Sequence, residues 1–230
     1  MTLDIAIRWT ELLLALAIVQ QSVEHLTAGR SERNLVALRI PVALVLLSGF
    51  ASAYTVWILT GMSVLLLRRF DGPYNGGADK MSLLILTCLS LAHLAPTRFW
   101  AEMALSYLAI QVVLSYFVSG WVKLKNPDWR NGTALRDVFG FSAYPVTENL
   151  RRLSNAPRLT FAASWVVIAI EVTFPLALSS SVVLLAALAA TAVFHLANAV
   201  VFGLNRFLWI WLAAYPSLIW FQMRVVPPVL

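Results

Sequence analysis

Charge is what this sequence has least of. Only 12% of its 230 residues are Asp, Glu, Lys or Arg, while 60% are hydrophobic. A soluble domain carries about 25% charged residues, so an ordinary water-facing globule is excluded. Cysteine is nearly missing too. Cys88 stands alone inside an apolar run, which rules out a disulfide or a CxxC redox pair within the chain. No zinc signature, nucleophile elbow, dinucleotide fingerprint or P-loop spacing occurs, so no metal site is expected. No internal repeat or low-complexity tract stands out.

What remains is long apolar stretches separated by short charged ones. A helix needs roughly 20 apolar residues to cross a ~30 Å hydrocarbon core, so the chain has room for six to eight spans. The pattern predicts an all-α fold: a polytopic transmembrane helix bundle, one domain over residues 1–230, with the lipid bilayer as its surroundings. Eight segments stand out, over about 8–27, 34–49, 52–67, 81–95, 99–122, 159–178, 182–202 and 207–221. The polar stretch 123–157 carries Trp129, Leu135, Val138 and Phe139 among charges, which predicts short amphipathic helices at the interface. Trp9, Trp100, Trp121, Trp129 and Trp220 fall near segment ends, as an aromatic belt requires. The first segment contains Glu11, Gln20, Gln21, Glu24 and His25, which the core of a cleavable signal peptide would not tolerate.

The net charge of +6 suggests nucleic acid in a soluble protein. In a membrane protein it reflects basic cytoplasmic loops instead, so no nucleic acid partner is expected. With eight crossings, every Lys and Arg except Arg8, Arg98 and Arg224 collects on one side. That side is then cytoplasmic, in a bacterial-type inner membrane, with both termini periplasmic or external.

Ionisable groups inside a membrane are costly and mark sites or packed polar contacts. Gln20 with Glu24, and Gln21 with His25, form an i, i+4 polar stripe on the first helix. His93 and Glu171 each lie roughly 18–20 Å from the cytoplasmic ends of their helices at 1.5 Å per residue, close enough in depth to pair near the outer side, so Glu171 is expected either to have a His partner or to be neutral. His195, with Asn198 three residues on, lies about 12 Å from its cytoplasmic end by the same count. The loop from Arg68 to Lys80 contains Tyr74, Asn75, Gly76, Gly77 and Asp79. Its glycines permit positive φ, and with Lys80 it forms either a helix–helix turn or a backbone nest for an anion or cofactor.

One segment is more particular. A long helix carrying Gln111 and Tyr116 ends on Gly120-Trp-Val-Lys123-Leu124, and Trp129, Gly132 and Ala134-Leu135 follow. Together with the Tyr74–Lys80 loop and the stretch Phe194-His195-Leu-Ala-Asn198 through Gly203-Leu-Asn205-Arg-Phe207, it resembles the vitamin K-dependent carboxylase-like membrane superfamily, the horizontally transferred transmembrane (HTTM) domains. That resemblance implies an oxidative membrane enzyme using a quinone or other lipid-soluble cofactor, or a role in peptide or protein maturation. It implies that Lys123 is a base toward a hydroquinone, with His195 beside it. Tyr74, Asn75, Gly76, Gly77, Asp79, Lys80, Gln111, Tyr116, Asn198 and Trp129 would form the binding site. Two other classes are open on the residues alone. One is a non-catalytic subunit docking a membrane or soluble protein partner. The other is a transporter, for which Glu171 is the nearest thing to a midplane acid.

Overall fold

A computed structural model of the protein describes residues 1–27, 32–69, 76–141 and 148–226. The described residues are almost all helical. In chain order the elements are α1 (Leu3–Thr27), α2 (Arg33–Ser48), α3 (Ser52–Arg69), α4 (Gly76–Leu94), α5 (Arg98–Lys125), α6 (Pro127–Arg130), α7 (Thr133–Phe141) and α8 (Glu148–Arg151). A 3-10 turn (Arg152–Asn155), α9 (Pro157–Thr173), a second 3-10 turn (Phe174–Ser179), α10 (Ser181–Phe202) and α11 (Asn205–Val225) complete the chain. Contacts divide it into two compact units: Met1–Ile110 with Arg206–Leu230, and Gln111–Asn205. Helix α5 runs unbroken through the boundary between them.

Local chemistry sets the helix ends. Pro127 and Pro157 open α6 and α9 at the first turn, where a missing N–H costs nothing. Asn126 accepts the Asp128 N–H at 2.9 Å, and Ser180 accepts that of Val183 at 3.2 Å, so both act as N-caps. Gly49 and Gly203 end α2 and α10 with φ of 82° and 68°, the left-handed conformation in which a C-terminal cap is usually glycine.

In the first unit α1, α2, α3 and α4 pack on one another in sequence, and α1 also touches α4. The side chains are arranged inside out. On α1 Thr10, Glu11, Gln21, Ser22 and His25 are buried, while Ile5, Trp9, Leu16 and Val23 are among the exposed residues. Polar groups face their neighbours and apolar ones face outward, the distribution a lipid solvent selects and water does not.

About eight membrane helices were expected, and that count is not supported. Among the described residues four helical stretches are long and apolar enough to cross a bilayer: Gly76–Leu94, Arg98–Lys125, Pro157–Ser179 and Ser181–Phe202. The other segments fall short for physical reasons. Helix α2 has 16 residues and contains Arg39 and Pro41, and at 1.5 Å per residue it reaches only about 24 Å. Helices α1 and α11 carry too many polar residues, most of them turned inward. The polar stretch after Lys123 does form short helices, α6 to α8, and α6 and α7 pack along α9.

Candidate functional site

In the second unit the side chains picked out by their sequence pattern gather on one face of α5. Tyr116, Gly120 and Lys123 are spaced at four and three residues, so they line up along the helix. Gly120 is what lets α9 in. A Cβ there would lie 2.6 Å from the Val172 nitrogen, 2.7 Å from the Glu171 Cβ and 2.9 Å from the Glu171 carbonyl carbon. Two of those atoms are backbone and cannot turn aside, so only glycine permits this helix contact.

The close approach sets Lys123 on Glu171. Its ammonium donates to both carboxylate oxygens, at 2.9 Å to Oε1 and 2.6 Å to Oε2. The Glu171 side chain is 6% exposed and that of Lys123 19%. The Trp129 ring, brought back by the turn into α6, lies 5.2 Å from the Lys123 Nζ, within cation–π range. Glu171 is about 21 Å along α9 from Pro157 at 1.5 Å per residue, so this pair sits far from that end of the helix. After Lys123, α6 and α7 bring the chain back along α9 toward Pro157. Trp165 donates its indole N–H to the Arg130 carbonyl at 3.1 Å. Lower still, Gly132, at φ 81°, faces the Phe161 backbone, with 2.6 Å between its would-be Cβ and the Phe161 nitrogen.

Two turns before Lys123, the Tyr116 hydroxyl lies 2.8 Å from His195 Nε2. Both residues are buried, at 2% and 4% exposure. Phe174, just past Glu171, packs on the Tyr116 ring with centroids 4.2 Å apart. Lys123, Glu171, Trp129, Tyr116 and His195 thus lie in one unit, the charged pair beside Trp129 and the phenol–imidazole pair beside Phe174. Asn198 follows one turn after His195 and is half-buried; its carbonyl accepts the Gly203 N–H that caps α10. Gln111 lies on another face of α5, its carbonyl taking the Ser115 hydroxyl at 2.7 Å.

His93 and Glu171, expected as partners, each take a different partner within their own unit. The His93 ring is bonded to Glu11 at 2.5 Å, and Glu171 takes Lys123. Counting depth along straight segments misled here, because the chain after Lys123 turns back along α9. Glu11 is 2% exposed and also accepts from Arg8 at 3.0 Å. Arg8 goes on to donate to the Leu46 and Leu47 carbonyls at 2.9 and 2.7 Å, where it caps the negative end of α2. Reasoning on the sequence did not single out Arg8; its place one turn before Glu11 was the available signal.

The other polar residues form a third cluster, in the first unit. Gln20 donates to Glu24 at 2.8 Å and Gln21 to Asp79 at 3.1 Å. Both carboxylates lie near Arg206, at 3.7 and 3.9 Å. His25 and Arg39 line the same small cavity. Gly76 and Gly77 begin α4, and a Cβ on Gly77 would meet the Phe207 ring at 3.1 Å. Lys80 is exposed. Tyr74 and Asn75 lie outside the described residues.

Apolar faces turned outward, ion pairs turned inward and helices long enough to span define a multi-pass helical membrane protein. The chain belongs to the HTTM domain family, whose model matches residues 92–223. The matched segment contains Lys123, Glu171, Tyr116, Trp129 and His195 and stops short of the Tyr74–Lys80 loop. No curated protein and no solved structure matches the chain.

Proposed function

We propose that this HTTM protein is a membrane enzyme that takes a proton from a lipid-soluble, hydroquinone-type substrate at Lys123, with Glu171 as the proton partner of that lysine. The observation that carries the reading is the two-oxygen Lys123–Glu171 contact deep along α9. Moving the proton from the ammonium to the carboxylate turns two buried charges into an amine and a carboxylic acid. A dry environment favours that neutral form. The amine lone pair then accepts a phenolic proton, giving an ammonium and a substrate anion. Glu171 can pass its own proton on and restore the ion pair. Trp129, Tyr116 and Phe174 supply aromatic faces suited to a planar ring, and the family resemblance points to the same chemistry.

On this reading residues 1–230 work as one HTTM-like domain in an inner membrane. The unbroken α5, and a family match drawing on both units, support that. Both chain ends are external. Asp4, Arg98, Glu102 and Arg224, close to the termini and to the turn before α5, meet in ion pairs at 3.8, 3.5 and 3.3 Å, and few basic residues belong to that end.

The test is hydroquinone oxidation by the protein in nanodiscs, followed by quinone absorbance and oxygen uptake. Lys123→Ala is expected to lower the rate by at least ~10²-fold, the usual worth of a general base, and to lower the melting temperature as well, because Glu171 loses its partner. A folded Lys123→Ala protein running at the wild-type rate would sink the proposal. One observation favours a second reading, a non-catalytic subunit that docks a partner: Lys123 with Glu171, Tyr116 with His195 and Glu11 with His93 satisfy one another, as packing contacts between membrane helices do.

A further inference from the structure

At the end of the first unit where α1, α3 and α5 begin and α4 ends, there is an open polar cavity of about 480 Å³. Asp4, Arg8, Glu11, His93 and Arg98 line it. An apolar groove of about 400 Å³, lined by Tyr54, Trp57, Ile58 and Leu94, adjoins it, and His93 belongs to both. Ser52 lies in the polar cavity, and Ile58 is about 9 Å further along α3 at 1.5 Å per residue. The groove therefore leads away from the cavity along α3. Each space is of the size that holds a small organic group.

Exposed aromatic side chains mark this end of the unit. Trp9, Phe50, Tyr54, Phe99 and Trp100 are all more than half exposed, as residues at the level of lipid head groups are. A polar cavity at that level, continued by an apolar groove, has the shape of an amphiphile. The charges then select the head group. Arg8 and Arg98 balance Asp4 and Glu11, which favours a neutral ligand with separated charges over an ion. Glu11 is already held by Arg8 and His93, and Arg8 by two carbonyls of α2. Asp4 and Arg98 are exposed and stand 3.8 Å apart, too far for a hydrogen bond. Asp4 can accept from an ammonium, and Arg98 can donate to a phosphate. No Phe, Tyr or Trp is among the described residues lining the polar cavity. A quaternary ammonium, which binds aromatic faces, is thus less well served there than a primary one.

We propose that the cavity and groove together bind one ethanolamine phospholipid, with its phosphate on Arg98, its ammonium on Asp4 and an acyl chain along Tyr54, Trp57 and Ile58. The site is separate from the Lys123 pair and does not depend on the function proposed for it.

The probes are dioctanoyl phosphatidylethanolamine, its choline and glycerol counterparts, and free phosphoethanolamine, each added to the full-length protein in a non-ionic detergent. Thermal unfolding is the readout. The melting temperature is expected to rise with the logarithm of ethanolamine lipid concentration, as one-site linkage requires. For the same shift the choline and glycerol lipids should need roughly tenfold more, the worth of one charge-assisted hydrogen bond. Phosphoethanolamine, which has no acyl chain, should give no shift at these concentrations. Asp4→Asn and Arg98→Gln alter exposed side chains, so both variants should fold. Asp4→Asn should bring the ethanolamine and choline responses together, and Arg98→Gln should weaken the response to all three lipids. An equal wild-type response to the ethanolamine lipid and either counterpart would overturn the assignment. So would an unchanged ethanolamine preference in Asp4→Asn, a wild-type response in Arg98→Gln, or a phosphoethanolamine shift equal to the lipid's.

Discussion

Replacing Gly120 with alanine separates two opposing effects whose sizes can be stated beforehand. In a helix interior alanine is favoured over glycine by about 0.8–1.0 kcal/mol, so propensity alone predicts stabilisation. Against that stands the contact with α9. The added Cβ would lie 2.6 Å from the Val172 nitrogen and 2.7 Å from the Glu171 Cβ, about 1 Å inside the optimal separation of such atoms. Neither helix backbone can yield locally, so α5 and α9 must part by a comparable amount. Overpacking of this kind costs about 1–3 kcal/mol. Parting also lengthens the 2.6 and 2.9 Å bonds of Lys123 to Glu171, and loosening a charge-assisted contact costs about 1.5–3 kcal/mol more. The clash therefore outweighs propensity, and Gly120→Ala should lose about 2–4 kcal/mol. Gly61→Ala is the control: it lies within α3, and its Cβ would meet nothing within 4 Å. It should gain up to about 1 kcal/mol. The assay is reversible unfolding in mixed micelles with added denaturing detergent. A Gly120→Ala protein as stable as Gly61→Ala would refute the account of how Lys123 and Glu171 meet.

Three further outcomes follow from the same geometry. Arg8→Ala removes two bonds to the end of α2 and one to Glu11. It should cost about 2–4 kcal/mol and raise hydrogen exchange first in the last turn of α2. Tyr116→Phe keeps the ring on Phe174 but deletes the 2.8 Å bond to His195. A loss of about 1–3 kcal/mol is expected, and the His195 Nε2 resonance should shift in nitrogen-detected spectra. For the proposed orientation, Cys88→Ser supplies a cysteine-free background. A single cysteine at position 2 should react with an impermeant maleimide from the outside of intact cells, while one at Lys125 should not.

Low charge and long apolar runs were enough to establish an all-helical membrane protein. The residue pattern Gly120–Lys123–Trp129, with His195 further on, was enough to point at the family. These properties are local or additive: transfer into lipid is summed residue by residue, and a motif is read in one stretch of chain. The number of spans was not legible in that way. Helices α1, α2 and α11 hide their polar residues against neighbours, and hydropathy cannot tell an inward glutamate from an outward one. Which acid met which base was equally closed to the sequence. Glu171 and His93 looked like partners because both counted as deep, but Gly120 admits α9 and the α6–α7 turn brings the chain back beside it. Lys123 therefore reached Glu171, and His93 was left to Glu11. Arg39 looked like one more basic residue near a helix end. Only the packing of α1, α2, α3, α4 and α11 surrounded it, because burial and pairing are properties of several helices at once.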